Sequence, residues 1–472
     1  MNRRNFLRGV AGLATLPMSR AYGAVASLGA TVVVDDIRLG RSIPDDFTGL
    51  SYESAVLASP DYFSPANLSI LGLIQGLGPK GVLRLGGNSS EATFWRGPSD
   101  GHKGGGIVIT PAAIDAVVAL LASLDWRLIY GLNLARGTPD AAADEAEYVA
   151  RVAGHRLLAF EIGNEPDGFA SWRGVRPRPY DVDTFVAEWK RFRAAIVARV
   201  PDARFAGPAI ANQQGWIRPF IDAAGDSLAL VTRHYYADGP AFAPYVSLAR
   251  LMSSAPNVEP ILADMRSISD RYGLPFRIEE TNSIYLEGQP GVSDSFAAAL
   301  WGLELMFQVA EAGGAGVNFH AGDTKAYTPI GPREGGPHTA GPLYYGMVMF
   351  KEATQNATLV PARLSAPSQN AVAYATKSTD DTLNVCLINK DFEHVARVGI
   401  ETKQNFASAS LLRLAAPSAE AKTDITFAGS SVDGFGKWSP RQIESLRWRR
   451  SSVVEVPAAS AVMVKLSRRG MS

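Results

Sequence analysis

The stretch "LLAFEIGNEP", residues 157 to 166, joins an apolar run to a polar end. Residues 157–162 have the apolar composition of a buried strand, and Gly163 ends that run directly before Asn164 and Glu165. A charge at that depth is costly unless it is paired or used in chemistry. The stretch therefore predicts a buried strand that presents Glu165 either to a partner elsewhere in the chain or to a ligand.

Seven further strand candidates alternate with amphipathic helical patterns along residues 47–355. Each strand and helix together take about 30 to 45 residues, which is typical of a (β/α)8 TIM barrel. A doubly wound open sheet is the alternative α/β fold, but it needs a glycine-rich turn after its first strand, and "GLSYES" is not such a turn. The eight candidates are 47–53, 81–87, 126–133, 157–165, 203–210, 228–236, 275–283 and 314–320.

From about residue 356 onward the pattern changes to short alternating strands such as "AVAYATK" and "TLNVCLINK", with no helical pattern. This is typical of a β-sandwich, which we assign to residues 356–472. The strand-like segment 27–46 has no place in the barrel. We therefore predict that it joins the C-terminal sandwich, with the barrel, 47–355, between the two parts of that domain.

Composition limits the classes of partner. Acidic and basic residues balance at 46 each in 472 residues, so net charge gives no reason to expect a nucleic-acid partner. Cys386 is the only cysteine, which excludes an intramolecular disulfide. No apolar run approaches the ~20 residues of a membrane span.

The first 26 residues have the features of an export signal. Paired arginines, Arg3 and Arg4, precede a short, weakly apolar run and then small residues. The segment resembles a bacterial twin-arginine signal peptide. We expect the mature protein to be periplasmic or secreted.

Two carboxylates follow barrel strands that should face each other. In TIM barrels, function collects at the C-terminal ends of the strands. Glu165 ends the fourth predicted strand and Glu280 ends the seventh, so both should enter one pocket. One protonated and one ionised carboxylate ~5 to 5.5 Å apart are what retaining glycoside hydrolysis requires. The sequence thus predicts Glu165 as acid/base and Glu280 as nucleophile.

Neighbouring polar residues have predicted supporting roles. Asn164 is placed to bind the sugar 2-hydroxyl, and Tyr235 to donate a hydrogen bond to Glu280. Side chains alternate along a strand, so we expect Glu279 to point away from the pocket, towards the helices. Glu161 lies deeper on the face of Glu165, and we expect it to join a structural ion pair.

These motifs resemble glycoside hydrolase family 79, the clan A family of β-glucuronidases and heparanase. "GPKGVLRLGGNSS", "EIGNEPDGF", "VTRHYYADG" and "EETNSIY" carry the resemblance, which extends over most of residues 30–470. It implies a barrel plus β-sandwich, retention of configuration, and no metal or other cofactor. It also implies roles for single residues. Glu165 matches the acid/base and Glu280 the nucleophile, while the matched substrate-binding positions are Glu53, Asn88, Ser89, Asn164, Tyr235, Tyr285 and Tyr327, the last as the tyrosine that recognises the uronate carboxylate.

The resemblance implies a glucuronic-acid-containing glycan or glycoside as substrate. The chain lacks the processed linker and the basic runs of heparanase, which favours an exo-acting β-D-glucuronidase over a heparanase-like endo-enzyme. A clan A hydrolase for a neutral sugar, such as a xylosidase or arabinofuranosidase, is a second hypothesis. A non-catalytic carbohydrate-binding protein is a third, against which the two carboxylates and Asn164 argue.

Overall fold

The structure is a computed structural model that describes residues 28–96, 106–253, 258–332, 336–365 and 370–468. The predicted export signal, 1–26, lies outside the described residues. Eight parallel strands close into a barrel in which each strand pairs with the next along the chain and the eighth pairs with the first. The predicted (β/α)8 barrel is therefore confirmed. Its strands are Thr48–Glu53, Val82–Gly86, Arg127–Leu132, Leu157–Ile162, Phe205–Ile210, Leu228–Asp238, Phe276–Ile284 and Gly316–Ala321.

A helix follows each barrel strand and covers the outside of the barrel. The second helix begins at Pro111, which suits the first turn because it has no N–H to leave unpaired, and the Thr110 side chain caps the helix by accepting a hydrogen bond from the Ala113 N–H. The short helix Leu248–Met252 precedes the sixth. The eight helices are Leu68–Gly76, Pro111–Leu124, Pro139–Ala153, Val182–Arg199, Ile217–Ala224, Val258–Tyr272, Phe296–Glu311 and Pro342–Thr354.

Two sheets form the predicted β-sandwich. The smaller sheet has the order Ala362–Leu364, Leu28–Val34, Ala396–Thr402, Ser451–Val456, so the N-terminal strand lies between C-terminal strands, as predicted. Alternate residues of that strand, Val32 and Val34, are buried against the other sheet. The larger sheet contains Ala357–Val360, Ala371–Ser378, Leu383–Asn389, Ser460–Ser467, Ser408–Ala415 and Thr426–Phe427 in that order, with Glu444–Leu446 paired to Ser408–Ala415.

The sandwich packs against the last two barrel helices. The Phe307 ring stacks on Tyr374 with centroids 4.7 Å apart, and Lys390 forms a buried ion pair of 2.6 Å with Glu304.

The described helices include none that is long and apolar enough to cross a membrane.

Candidate active site

The turn after the fourth barrel strand fixes the Glu165 backbone in a left-handed conformation, with φ of 49° and ψ of 53°. This conformation costs a non-glycine residue about 1 to 2 kcal/mol, and it persists where the surroundings impose it. The Glu165 N–H donates to the Ala209 carbonyl at 3.0 Å. The Asp167 carboxylate accepts three backbone N–H groups, from residues 211–213, at 2.8 to 3.0 Å. The turn is thereby anchored to the loop after the fifth strand.

A β-bulge in the seventh strand turns two consecutive glutamates towards the barrel interior. The pairing register shifts between Ile278 and Glu280 on one side, and between Ile278 and Thr281 on the other. A bulge adds a residue and so interrupts the alternation of faces. The prediction that Glu279 points to the helices is therefore wrong. Its carboxyl group is fully buried inside the barrel, with one oxygen 4.0 Å from the His234 ring.

The structure brings together Glu165, which follows the fourth strand, and Glu280, which lies in the seventh strand. One carboxylate oxygen of each lies within 4.8 Å of the other and of a His234 ring nitrogen. His234 Nδ1 is 3.0 Å from the Glu165 carboxylate and forms a hydrogen bond with it. The Glu280 side chain is 8% exposed and the Glu165 side chain 14%, so Glu165 is the more accessible of the two.

Arg84, on the second strand, connects the polar groups at the base of the pocket. Its guanidinium donates to both Glu161 oxygens, at 2.5 and 3.2 Å, and to Glu280 Oε2 at 2.6 Å. It also donates to Ser51 at 3.1 Å and to Asn164 Oδ1 at 2.7 Å. Glu161 thus joins an ion pair, as predicted. Sequence reasoning missed Arg84, although a cation in the middle of an apolar strand requires buried acidic partners.

Tyr236, and not Tyr235, holds Glu280. The Tyr236 hydroxyl donates to Glu280 Oε1 at 2.9 Å. The predicted hydrogen bond from Tyr235 is absent, since the Tyr235 hydroxyl is buried without a partner among the described residues. The physical reason is alternation along the sixth strand, because His234 and Tyr236 share the inner face and Tyr235 lies on the other.

The electrostatic environment favours an ionised Glu280. Burial opposes its ionisation, but the positive charges of His320 and His234 counteract burial. The charge and hydrogen bond of Arg84 act in the same direction, and the pKa of Glu280 stays well below its ordinary value. Burial lowers the pKa of His234, but the Glu280 charge and the Glu165 hydrogen bond outweigh it and raise that pKa above its ordinary value.

Asn164 is fixed through both its backbone and its side chain. Its N–H donates to the buried Glu91 carboxylate at 2.7 Å, which also accepts the Ala135 N–H at 2.6 Å. Its side-chain Nδ2 donates to Asn88 Oδ1 at 3.2 Å. Two predicted binding residues are therefore in direct contact, and Glu91 is a supporting residue that the sequence analysis did not identify.

Glu53, the last residue of the first barrel strand, is bonded to the segment that follows the second strand. Its Oε2 accepts hydrogen bonds from the Ser89 N–H and hydroxyl, at 2.7 and 2.6 Å. His320 Nε2 lies 3.5 Å from its Oε1. Burial opposes ionisation of Glu53, but the hydrogen bond and charge of His320 prevail and lower its pKa to about 2.

Tyr327 and Lys325 approach the pocket from the loop after the eighth strand. Tyr327 is buried beside Tyr236, with ring centroids 6.1 Å apart. The Lys325 ammonium lies 5.9 Å from the Tyr327 ring centroid and 3.9 Å from Glu53 Oε1. The side chain of this lysine is 11% exposed, which places a cation next to the predicted binding residues.

Tyr285 lies nearer the pocket rim than the other predicted residues. It is 40% exposed, and its ring is 6.4 Å from that of Tyr236. The ring packs so closely over Gly239 that a Cβ atom there would come within 2.3 Å of it. The structure therefore gathers every predicted site residue except Tyr235 around the pocket.

Glu165, His234 and Glu280 form a group whose ligand atoms are close enough to surround a metal ion. Arg84 already neutralises Glu280, and His234 already bonds Glu165. The charges of the group are thus balanced by residues of the chain itself.

The chain is similar to two curated relatives, and no family model matches it. A β-glucuronidase of Aspergillus niger is 26% identical over 496 aligned positions, which cover 91% of this chain and 90% of the relative. A β-glucuronidase of Neurospora crassa is 26% identical over 394 positions, which cover 70% of this chain and 68% of the relative.

Solved structures share the fold. A 4-O-α-L-rhamnosyl-β-D-glucuronidase from Fusarium oxysporum 12S, in complex with Rha-GlcA, has a TM-score of 0.77 at 18% identity and covers 93% of this chain and 100% of its own. An α-L-arabinofuranosidase from Thermotoga maritima has a TM-score of 0.69 at 14% identity, and the match covers 92% of this chain and 99% of the arabinofuranosidase chain. At these identities the likeness establishes the architecture alone.

Proposed function

We propose that this chain is a retaining exo-β-D-glucuronidase that acts by double displacement. The observation that carries the proposal is the proximity of Glu165 and Glu280, whose oxygens lie within 4.8 Å of each other. This separation suits a nucleophile and leaves no room for a water molecule activated between the carboxylates, as inversion would require. The two fungal relatives named as β-glucuronidases support the same substrate class.

The environments of the two glutamates suit different roles. Glu280, kept ionised by Arg84 and oriented by Tyr236, attacks the anomeric carbon and forms the glycosyl-enzyme bond. Glu165, the more exposed of the two, gives its proton to the leaving oxygen. It then takes a proton from the water that attacks the same carbon and cleaves the glycosyl-enzyme ester, which restores both carboxyl groups. Asn164 faces the sugar 2-hydroxyl, where a hydrogen bond strengthens in the transition state.

Recognition of the uronate carboxylate is assigned to Lys325 and Tyr327. The pocket already holds the carboxylates of Glu53 and Glu280, so an anionic substrate requires a cation at its own end. The Lys325 ammonium lies 3.9 Å from Glu53 and 4.0 Å from Glu287, and its side chain is largely buried, so its attraction for a substrate carboxylate is only weakly screened by solvent. Tyr327 would add a hydroxyl donor. The motifs "EIGNEPDGF" and "EETNSIY" and the two relatives named as β-glucuronidases support our proposal that the chain is a member of glycoside hydrolase family 79.

A glycoside screen with anomeric analysis tests the proposal. Chromogenic β-D-glucuronide should be cleaved far faster than the matching β-D-glucoside, and proton NMR should first detect the β-anomer of the released sugar. Equal turnover of the two substrates would remove the uronate assignment. Initial release of the α-anomer would exclude double displacement.

Variants of the two glutamates separate their roles. Glu280→Ala should abolish hydrolysis of every glucuronide. Glu165→Ala should lower kcat/KM for glucuronides with poor leaving groups by a factor of about 10² to 10⁴, the usual contribution of general acid catalysis, and should leave kcat/KM for dinitrophenyl glucuronide, whose leaving group needs no protonation, nearly unchanged. Similar losses for both variants on both substrates would contradict the assignment.

We further propose that residues 1–26 direct export of the folded chain to the periplasm or beyond. The support is the pair Arg3–Arg4 followed by a weakly apolar run. A reporter fused to this segment should be exported, and replacing both arginines by lysine should retain it in the cytoplasm. Export of the lysine variant would contradict the twin-arginine route.

A further inference from the structure

Glu279 is a buried carboxyl group inside the barrel, next to the Glu161 carboxylate. It is 0% exposed, and neither of its oxygens has a hydrogen-bond partner among the described residues. The Thr232 hydroxyl lies beside it on the sixth strand. The titratable and charged groups that face it from the second, fourth, sixth and seventh strands are Arg84, Glu161, His234, Arg277 and Glu280.

The guanidinium of Arg84 is already committed to other partners. Its N–H groups donate to Glu161, Glu280, Ser51 and Asn164 at 2.5 to 3.2 Å. An ionised Glu279 would be a third carboxylate around one guanidinium, and the Thr232 hydroxyl beside it would supply a single hydrogen bond, fewer than a buried charge requires. A protonated Glu279 supplies a donor of its own, and the Glu161 carboxylate beside it is a ready acceptor.

We propose that Glu279 is a positioning residue that holds a buried proton against Glu161 and so leaves the charge of Arg84 to Glu280. Burial and the charge of Glu161 both raise the pKa of Glu279 well above its ordinary value, in agreement with this arrangement. The inference rests on the proposed function, because its consequence concerns the nucleophile of that reaction.

Loss of this proton should impair the nucleophile. An ionised Glu279 would compete with Glu280 for the positive charge of Arg84. Because Glu279 lies beside Glu161, it would add negative charge on that side and draw the guanidinium away from Glu280. The active form is the protonated one, so activity should persist below the pKa of Glu279 and fall as pH rises through it. The measurement uses a variant without the Glu165 carboxyl group, so that the proposed acid catalyst does not contribute to the pH profile.

The test uses the full chain carrying Glu165→Ala and dinitrophenyl β-D-glucuronide, whose leaving group needs no protonation. In this variant we expect kcat/KM to fall at alkaline pH by at least about tenfold from its value at lower pH. Ionisation of a single group, here Glu279, lowers kcat/KM by one decade for each pH unit above its pKa. Addition of Glu279→Gln should remove that fall, since an amide donates to Glu161 but cannot ionise. An alkaline fall that is the same with and without Glu279→Gln, or no fall in Glu165→Ala, overturns the proposal.

Two further variants keep the result interpretable. Glu145→Gln alters another buried glutamate, one that accepts a hydrogen bond from Tyr130 at 2.6 Å outside the pocket, and it should leave the alkaline fall unchanged. If Glu279→Gln does not fold, Glu161→Gln replaces it. Removal of the neighbouring negative charge should move the alkaline fall to lower pH, and an unmoved midpoint overturns the proposal.

A readout independent of activity separates this inference from the proposed function. Carbon NMR of wild-type protein with ¹³C-labelled glutamate carboxyl groups should contain, at neutral pH, a signal of a protonated carboxyl that Glu279→Gln lacks. If the missing signal is that of an ionised carboxylate, the inference fails. If wild-type protein cleaves no glucuronide, the proposed function fails and the NMR result still decides the protonation.

Discussion

The phenol of Tyr236 and the carboxylate of Glu280 are joined by a 2.9 Å hydrogen bond to Oε1, while Arg84 occupies Oε2. Both oxygens of the proposed nucleophile are thus held, one by a neutral donor and one by a cation. Such a carboxylate is fixed in orientation before substrate arrives, which is the preorganisation that displacement chemistry requires.

Tyr236→Phe should lower kcat/KM for glucuronides by about 10 to 100-fold, because a hydrogen bond to a charged group contributes about 1.5 to 3 kcal/mol. Tyr235→Phe is the matched control, since it removes the same atom on the opposite face of the strand. It should change kcat/KM by less than about twofold, as expected where no hydrogen bond to the site is lost. Steady-state measurements of kcat/KM for both variants at one pH show which tyrosine supports Glu280. A larger loss of kcat/KM in Tyr235→Phe than in Tyr236→Phe would mean that Tyr235 has this role.

The contrast between these tyrosines shows where sequence reasoning ends. All eight barrel strands and the sandwich could be predicted, because period-two and helical patterns persist over long segments. Tyr235 and Tyr236 differ by one position, and the motif "HYY" does not specify which residue faces inward. In the fold, the strand register decides which tyrosine faces inward. His234 pairs with Glu280 and faces the barrel interior, so Tyr236, two residues later, faces inward as well.

The orientation of Glu279 was predicted wrongly and the role of Arg84 was missed, for two other reasons. Strict alternation places Glu279 outside the barrel, and the bulge that reverses this depends on both neighbouring strands. No local pattern in "FRIEETNS" encodes it. The Arg84 signal, in contrast, was present in "GVLRLGG" as a single cation in an apolar strand, but its partners are 77 and 196 residues away in the chain.

Arg84→Lys should abolish most activity and lower stability. A lysine cannot bridge Glu161 and Glu280 in the planar geometry of a guanidinium, and removal of one partner of a buried ion pair costs about 3 to 5 kcal/mol. We expect a lower melting temperature and a kcat/KM reduced at least about 100-fold, the equivalent of ~2.7 kcal/mol. Arg413→Lys, at the more exposed pair with Glu444, should change neither by much. An active Arg84→Lys variant would contradict the central role of Arg84.

Lys325→Met should weaken glucuronide hydrolysis selectively. It removes the cation beside Glu53 and Tyr327 but preserves most of the side-chain volume. We expect kcat/KM for the glucuronide to fall by about 10 to 100-fold, as for other hydrogen bonds to charged groups, with no loss for the glucoside. Lys80→Met is the control and should leave both activities unchanged, because Lys80 precedes the second strand at the other end of the barrel. Equal losses on both sugars would show that Lys325 does not recognise the carboxylate.

Glu53 should make stability depend on pH in the acid range. Its pKa falls from an ordinary 4.5 to about 2 in the fold, so its contribution is fully present above pH 4.5 and is lost as pH falls towards 2. The shift corresponds to roughly 3 kcal/mol. Glu53→Gln should therefore lower the melting temperature at pH 7, and the difference from wild type should narrow as pH falls. A difference that stays constant down to pH 2 would contradict the ionised, bonded state of Glu53.

Lys390 and Glu304 should couple the sandwich to the barrel. Their 2.6 Å ion pair is almost fully buried, with side chains 0% and 6% exposed. Lys390→Met leaves Glu304 without this counter-charge and should cost about 3 to 5 kcal/mol, whereas the double variant Lys390→Met/Glu304→Leu should recover much of that loss. Chemical unfolding of the wild type, both single variants and the double variant measures the coupling free energy. Strictly additive effects would mean that the pair contributes nothing to holding the two domains together.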